Sequence, residues 1–139
     1  MKTYGRKPAL IISFMLCAVL GVSAGAQDKP KRPKLSVRAT PTMAFTPATI
    51  TFTAELKDGA DDFEEYYCAA VEWDWADGTR SESSDDCEPY EAGKSEIRRR
   101  FTIQHKYNID GVYDVQFRLK QRDKVVASNR TKITVRPGM

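Results

Sequence analysis

The sequence predicts an all-β domain, a sandwich or a barrel, from three observations. Apolar and polar residues alternate strictly in several short segments, turn-forming residues separate these segments, and nothing after residue 26 has the spacing of an amphipathic helix. The alternation indicates half-buried antiparallel strands with one face towards a core and the other towards water. With 139 residues, of which 41% are hydrophobic, the chain has the length of one such domain.

A secretory signal peptide is predicted before this domain, over residues 1–26. Its first residues are basic, an apolar run of about 14 residues follows, and it ends in Ala24-Gly25-Ala26, a small-residue pattern that signal peptidases cleave. The apolar run is shorter than the ~20 residues that a membrane span needs. We therefore expect cleavage before Gln27, no membrane span in the remaining chain, and a secreted or periplasmic protein.

Residues 27–34 form a predicted polar linker, and residues 35–136 the predicted sandwich domain. The linker contains two prolines and no residue suited to a core. In the domain, five segments alternate clearly and a sixth, shorter one around residue 101 alternates more weakly. The apolar positions of these six predicted strands are Leu35, Val37 and Ala39; Ile50, Phe52, Ala54 and Leu56; Val71, Trp73 and Trp75; Phe101 and Ile103; Tyr113, Val115, Phe117 and Leu119; and Ile133 and Val135.

The formal net charge of +3 does not predict nucleic-acid binding. Three basic residues of the signal peptide account for it, so the remaining chain is neutral in sum. Residues 55–91 carry fourteen acidic and two basic residues, whereas residues 92–139 carry twelve basic and four acidic ones. This division has two interpretations, ion pairing within the domain or two oppositely charged faces that steer a charged partner.

Cys68 and Cys87 are the two cysteines after the signal peptide. In an exported chain, such a pair favours a disulfide over a metal or redox site. If a four-residue turn follows Trp75, that residue pairs with Arg80, and the same register sets the two cysteines opposite each other. The bridge would then lie on the face opposite the tryptophans.

Two motifs have the order and spacing of a known family. Residues 71–79, VEWDWADGT, and residues 105–119, HKYNIDGVYDVQFRL, resemble the W-x-F-G-D-G-T and H-x-Y-x-x-x-G-x-Y-x-V-x-L patterns of the polycystic kidney disease (PKD) domain family. The sequence departs from that family at Ala76, where Gly is usual, and in the long acidic stretch from Gly78 to Ile97. The matching positions are Trp73, Trp75, Asp77, Gly78, His105, Tyr107, Gly111 and Tyr113.

The resemblance implies an immunoglobulin-like antiparallel β-sandwich of about seven strands. It also implies a non-catalytic module of secreted or cell-surface proteins, in which the matching residues have structural roles. Asp77-Gly78 is a turn signal on physical grounds as well, because Gly adopts positive φ and Asp bonds its own backbone.

An acidic loop after the second predicted strand offers a candidate calcium site. Asp58, Asp61 and Asp62, joined by Asp77, supply the hard oxygen ligands that Ca²⁺ prefers. They lack the fixed spacing of an EF-hand, and the role of Asp77 in its turn needs no ion. We expect no other cofactor.

The basic run Arg98, Arg99 and Arg100 precedes the predicted strand at Phe101. It has two interpretations: a charged edge strand that prevents edge-to-edge pairing, or a surface for an anionic glycan or protein.

The sequence offers little for catalysis. His105 is the one histidine, and neither a G-x-S-x-G motif nor a His/Cys set for zinc accompanies it. We therefore expect a non-catalytic exported binding or adhesion module whose partner is a protein or a carbohydrate. The alternatives are a calcium-dependent structural module of a larger exported assembly and a small exported hydrolase.

Overall fold

Alternating residues along the strands build one core between two β-sheets. The computed structural model describes Gly5 and residues 31–139, so the predicted signal peptide, apart from Gly5, and residues 27–30 lie outside the described chain. A 3₁₀ helix spans Glu64–Tyr66, and the described residues form no α-helix. The strands are β1 (Lys34–Thr40), β2 (Met43–Phe45), β3 (Ala48–Lys57), β4 (Ala70–Asp74), β5 (Arg80–Ser83), β6 (Arg100–Tyr107), β7 (Gly111–Gln121) and β8 (Lys124–Arg136).

The strands form a three-stranded sheet of order β1-β3-β6 and a five-stranded sheet of order β2-β8-β7-β4-β5. Neighbours are antiparallel, as predicted, except that β2 runs parallel to β8. The chain leaves the first sheet after β1, joins the second as β2, and returns as β3. The bonds Thr40–Pro41 and Thr46–Pro47 on either side of β2 are both cis.

Aromatic rings fill the middle of the core. Trp73 and Trp75 are 3% and 1% exposed, and their rings stack with centroids 5.3 Å apart. Phe52 from the opposite sheet packs against both tryptophans, and Phe117 of β7 meets the Trp73 ring edgewise. Each such side chain contributes about 2–3 kcal/mol by leaving water. The tryptophans are therefore core residues.

The β4–β5 hairpin is displaced by one residue from the predicted register. Asp74, and not Trp75, pairs with Arg80. The turn contains five residues because Ala76 adopts the left-handed conformation with φ 62° and the Trp75 N–H reaches back to the Thr79 carbonyl over 3.2 Å.

The predicted disulfide is present, although it is not a rung of this hairpin. Cys68 and Cys87 are bonded, with their Cα atoms 6.1 Å apart. The ladder between β4 and β5 ends at Val71 and Ser83, so the bridge closes the loops beyond it. The polar residues after Ser83 have poor strand propensity, which explains why the hairpin stops there.

The end of the predicted linker lies against the loop after β3. Arg32 forms an ion pair with Glu65 over 2.8 Å and lies 5.4 Å above the centre of the Phe63 ring. At Gly59, a Cβ atom would lie 2.4 Å from the Pro33 nitrogen, so this approach requires glycine. Contacts with the domain extend back to Lys31, whose carbonyl accepts the Ala60 N–H over 2.9 Å.

Glu72 lies on the outer face of the five-stranded sheet and is nevertheless only 3% exposed. It faces Glu82 on β5 and Arg118 on β7. The Lys120 ammonium donates to it over 2.5 Å and the Arg118 guanidinium donates to its other oxygen. The long stems of these two cations cover the carboxylate. The hydrogen bond from Lys120, together with that from Arg118, outweighs burial and lowers the pKa of Glu72 to about 2.

We predict that Glu72→Gln lowers the free energy of unfolding by about 2 kcal/mol at pH 7, because two charge-assisted hydrogen bonds are lost from a buried group. Since the pKa of Glu72 is lowered in the folded state, this contribution is complete above about pH 4.5 and disappears as the pH falls towards 2. Urea unfolding at several pH values measures it. The matched variant Glu82→Gln, on the exposed neighbour, should change stability by less than about 0.5 kcal/mol; equal effects would contradict the prediction.

We also predict that replacing both Cys68 and Cys87 by Ala lowers stability by roughly 3 kcal/mol. The bridge joins residues 19 apart and so restricts a loop of that size in the unfolded chain. Urea midpoints of the variant and of the reduced wild-type protein should agree. A variant as stable as the oxidised protein would show that the bridge contributes nothing.

Candidate functional site

The turn between β4 and β5 brings residues of both sequence motifs together. The His105 ring, from β6, stacks on Trp75 with centroids 4.3 Å apart, and its Nε2 lies 2.8 Å from Asp77 Oδ2. Asp77 Oδ1 accepts the Thr79 backbone N–H over 2.9 Å and the Thr79 hydroxyl over 2.5 Å. An Asp that bonds the backbone two residues ahead closes a turn in this way.

Two tyrosines support the same turn. The Tyr107 hydroxyl donates to the Trp75 carbonyl over 3.0 Å, and burial raises the pKa of this hydroxyl well above its ordinary value. The Tyr113 ring lies 4.3 Å from that of Tyr107, and its hydroxyl donates to the Ile109 carbonyl over 2.6 Å. Gly78, at φ 89°, is a second residue of the turn with positive φ, after Ala76.

This arrangement contains a hydroxyl, a carboxylate and an imidazole, but not in the order of a catalytic triad. Asp77 lies between Thr79 and His105 and contacts both. In a triad the imidazole must contact the hydroxyl to take its proton. Burial alone would raise the pKa of Asp77, but the hydrogen bonds from Thr79 and His105 outweigh it and leave that pKa below its ordinary value. The contacts among Thr79, Asp77 and His105 stabilise the turn between β4 and β5.

The three consecutive arginines are engaged with their own domain. Arg98 lies 4.7 Å above the centre of the Phe101 ring. Arg99 forms an ion pair with Asp61 over 2.6 Å and donates to carbonyls of the loop after β3. Arg100 binds Glu55 over 2.6 Å, at the start of β6, an edge strand. Ion pairing within the domain thus explains much of the charge division in the sequence.

Three of the four carboxylates of the candidate calcium site contact other groups of the protein. Besides Asp77 in its turn and Asp61 with Arg99, the Asp62 carboxylate accepts the Gly93 N–H over 2.8 Å, and the Asp58 carbonyl accepts from Arg99. Within residues 31–139, no group of three or more His, Cys, Asp or Glu side chains is arranged to hold a metal ion.

An exposed set of apolar side chains lies on the outer face of the five-stranded sheet. Met43 on β2 and Val112 on β7 are both register partners of Thr134 on β8, so the three form one row across the sheet. Phe45 follows Met43 on the same face, opposite Arg136. The exposed fractions of Met43, Phe45 and Val112 are 49%, 59% and 64%. We call Met43, Phe45 and Val112 together the apolar row.

Sequence reasoning missed the apolar row. β2 has three residues between two prolines, which is too short for a periodic signal. Val112 was the available clue, because it is an apolar residue in the solvent-facing phase of β7, where Asp114 and Gln116 follow.

No helix in the described part of the chain has the length and apolar character to cross a membrane.

We predict that Asp77→Asn lowers the free energy of unfolding by about 1 kcal/mol at pH 7, since the carboxylate accepts from Thr79 and contacts His105. The pKa of Asp77 is lowered by folding, so this stability is present above its unfolded pKa and is lost as the pH falls through the folded value. Thermal unfolding from pH 7 to pH 3 should therefore show the two proteins converge in acid. Asp114→Asn, on an exposed strand position, is the control; a constant difference at all pH values would contradict the assignment.

Comparisons with known proteins agree with the fold. No family model matches the sequence, and no significant match exists among curated proteins. Among solved structures, the PKD domain of an M14-like peptidase from Thermoplasmatales archaeon SCGC AB-540-F20 has a TM-score of 0.52 and 15% identity, over 78% of this chain and 99% of that one. A CARDB domain from Pyrococcus furiosus, solved in complex with di-metal ions, has a TM-score of 0.48 and 9% identity, over 79% of this chain and 99% of that one. The match to the PKD domain shows that the described residues adopt a PKD-like fold, as the sequence motifs predict.

Proposed function

We propose that the protein is an exported, non-catalytic module that binds another protein through the apolar row. The observation that carries this proposal is the exposure of Met43, Phe45 and Val112 on the same face of a folded sheet. Burial of these side chains against a partner would gain roughly 25 cal/mol per Å² of apolar surface removed from water.

The surroundings of the apolar row favour a protein partner over a carbohydrate. Met, Phe and Arg are enriched in protein interfaces, and Arg136 stands beside Phe45 in the register of β2 and β8. Trp73 and Trp75, the rings that could offer a stacking platform to a sugar, are buried in the core.

Export is supported by the disulfide and by the predicted signal peptide. Disulfides form and persist in oxidising compartments such as the periplasm or the extracellular space. A non-catalytic role is supported by the use of His105 in the turn, where its ring stacks on Trp75 and its Nε2 faces Asp77.

We predict that Met43→Lys and Val112→Lys each reduce capture of a partner about tenfold or more, which corresponds to about 1.4 kcal/mol. The tagged protein would be used to capture proteins from the exported fraction of its native cells, with quantification by mass spectrometry. Thermal unfolding should remain near that of the wild type, since both side chains are exposed.

Val125→Lys is the matched control, because Val125 is 45% exposed but lies at the far end of the β7–β8 hairpin. It should capture the partner as well as the wild type does. Equal losses in all three variants, or retention of glycans but of no protein, would contradict the proposal.

A further inference from the structure

The sandwich has a covered side and an open side. On the covered side, β1 lies against β8, where the Asn129 side-chain amide donates to the Leu35 carbonyl over 2.8 Å. On the other side, β5 and β6 are the edge strands of their sheets. β6 has eight residues and only β3 as a neighbour, so one of its two edges is unpaired in the described chain.

The register decides which backbone groups β6 directs to the open side. The Leu56 N–H donates to the Arg99 carbonyl over 2.8 Å, and the same register pairs Phe52 with Ile103. In an antiparallel ladder, bonded pairs alternate with unbonded ones, so the odd-numbered residues of β6 bond β3. The even-numbered residues point their N–H and C=O groups outwards, and the described chain provides no hydrogen-bond partner for the backbone of Thr102 or Gln104 there.

The protection that charged residues give to this edge is confined to its ends. The Arg98 Nε donates to the Arg100 carbonyl over 3.1 Å and caps one end of the strand. Natural edge strands are usually blunted by charges along their length. Here Thr102 and Gln104 leave the centre uncharged, and Lys106 is the next cation along the strand.

A cleft lies beside the open centre, between β5 and β6. Its volume is about 110 Å³; Trp73, Phe101 and Ile103 are among its apolar walls, and its polar lining includes Ser81, Glu82 and Arg98. An engineered cavity of ~150 Å³ holds a benzene molecule. The cleft therefore suits one aliphatic side chain.

We propose that the open edge of β6 accepts an extended segment of another exported protein as an added strand. Such an added strand would bond the outward groups of Thr102, Gln104 and Lys106. Because side chains alternate in a strand, the residue opposite Ile103 points into the cleft and is aliphatic, whereas the residue opposite Lys106 faces water and is acidic. This surface is separate from the apolar row and goes beyond the proposed function.

Charge argues against a second copy of the chain as the occupant. An antiparallel pair of β6 strands centred on Ile103 would place Arg100 of each copy opposite Lys106 of the other. Like charges directly opposite each other destabilise a sheet. An acidic segment has the complementary charge.

Amide hydrogen exchange of the ¹⁵N-labelled protein tests the proposal. The probe is a synthetic seven-residue peptide with valine at its inward positions, threonine at its outward positions, and one aspartate opposite Lys106. We expect at least tenfold slower exchange at the Thr102, Gln104 and Lys106 amides on saturation, because these N–H groups gain partners. The Phe101 and Ile103 amides already bond β3 and should change little. A peptide with lysine in place of the aspartate should bind more weakly.

Proline variants test the edge itself. Thr102→Pro removes an outward N–H and leaves the ladder to β3 intact, so it should abolish the slowed exchange at Gln104 and Lys106. The matched control is Arg80→Pro at the first residue of β5, outside the cleft, where the Trp75–Thr79 hydrogen bond sets the same alternation and directs the Arg80 N–H outwards. This control should still bind the peptide.

A chemical variant of the probe covers the case in which Thr102→Pro does not fold. A peptide N-methylated at the groups that face β6 should not slow exchange in the wild-type protein.

The proposal is overturned if the unmodified peptide leaves the β6 amides unchanged, or slows exchange at Met43–Phe45 instead. It is also overturned if the β6 amides are protected without peptide in a dimer seen by analytical ultracentrifugation. Partner capture by Met43→Lys tests the apolar row, whereas amide exchange tests the edge of β6. Either proposal can therefore fail while the other holds.

Discussion

Trp75 is the residue on which both sheets depend. Its indole lies between Trp73 and His105, and Phe52 packs on it from the opposite sheet. Its polar atoms are also occupied, since the indole N–H donates to Ser81 over 2.8 Å and its carbonyl accepts from Tyr107. A large aromatic ring buried with its polar atoms satisfied contributes packing without a desolvation cost. β3, β5 and β6 are thereby fixed relative to the end of β4.

Ion pairs between strands help to set which strands are neighbours in this domain. The acidic middle of the sequence and its basic second half meet across strands, as in the contacts of Glu72 with Arg118 and of Glu55 with Arg100. Because these partners are far apart in sequence, each pair forms only when the strands have their native neighbours. The two surfaces that we propose for recognition, the apolar row and the centre of β6, take no part in these ion pairs.

Period-two alternation predicted the fold because the core strands direct one face towards the core and the other outwards, as Tyr113 to Leu119 illustrate. The disulfide was likewise predicted from the export context and the even cysteine count. The register of the hairpin was wrong by one residue because a left-handed conformation at Ala76 lengthens the turn, and nothing in local propensity indicates that conformation for alanine. β2 and the apolar row escaped prediction because they depend on a three-residue strand whose neighbour, β8, is some ninety residues later.

The bridge between Cys68 and Cys87 divides the domain into a part that must keep its sequence and a part that is free to change. Residues 88–96, which follow Cys87, belong to no strand and contribute no buried side chain, while Ile97 after them is buried. Added length in such a surface segment costs little closure entropy, since the cost grows only with the logarithm of loop length. Diversity in sequence and length can therefore accumulate in this segment, as in the hypervariable loops of antibodies, while the sandwich beneath remains the same.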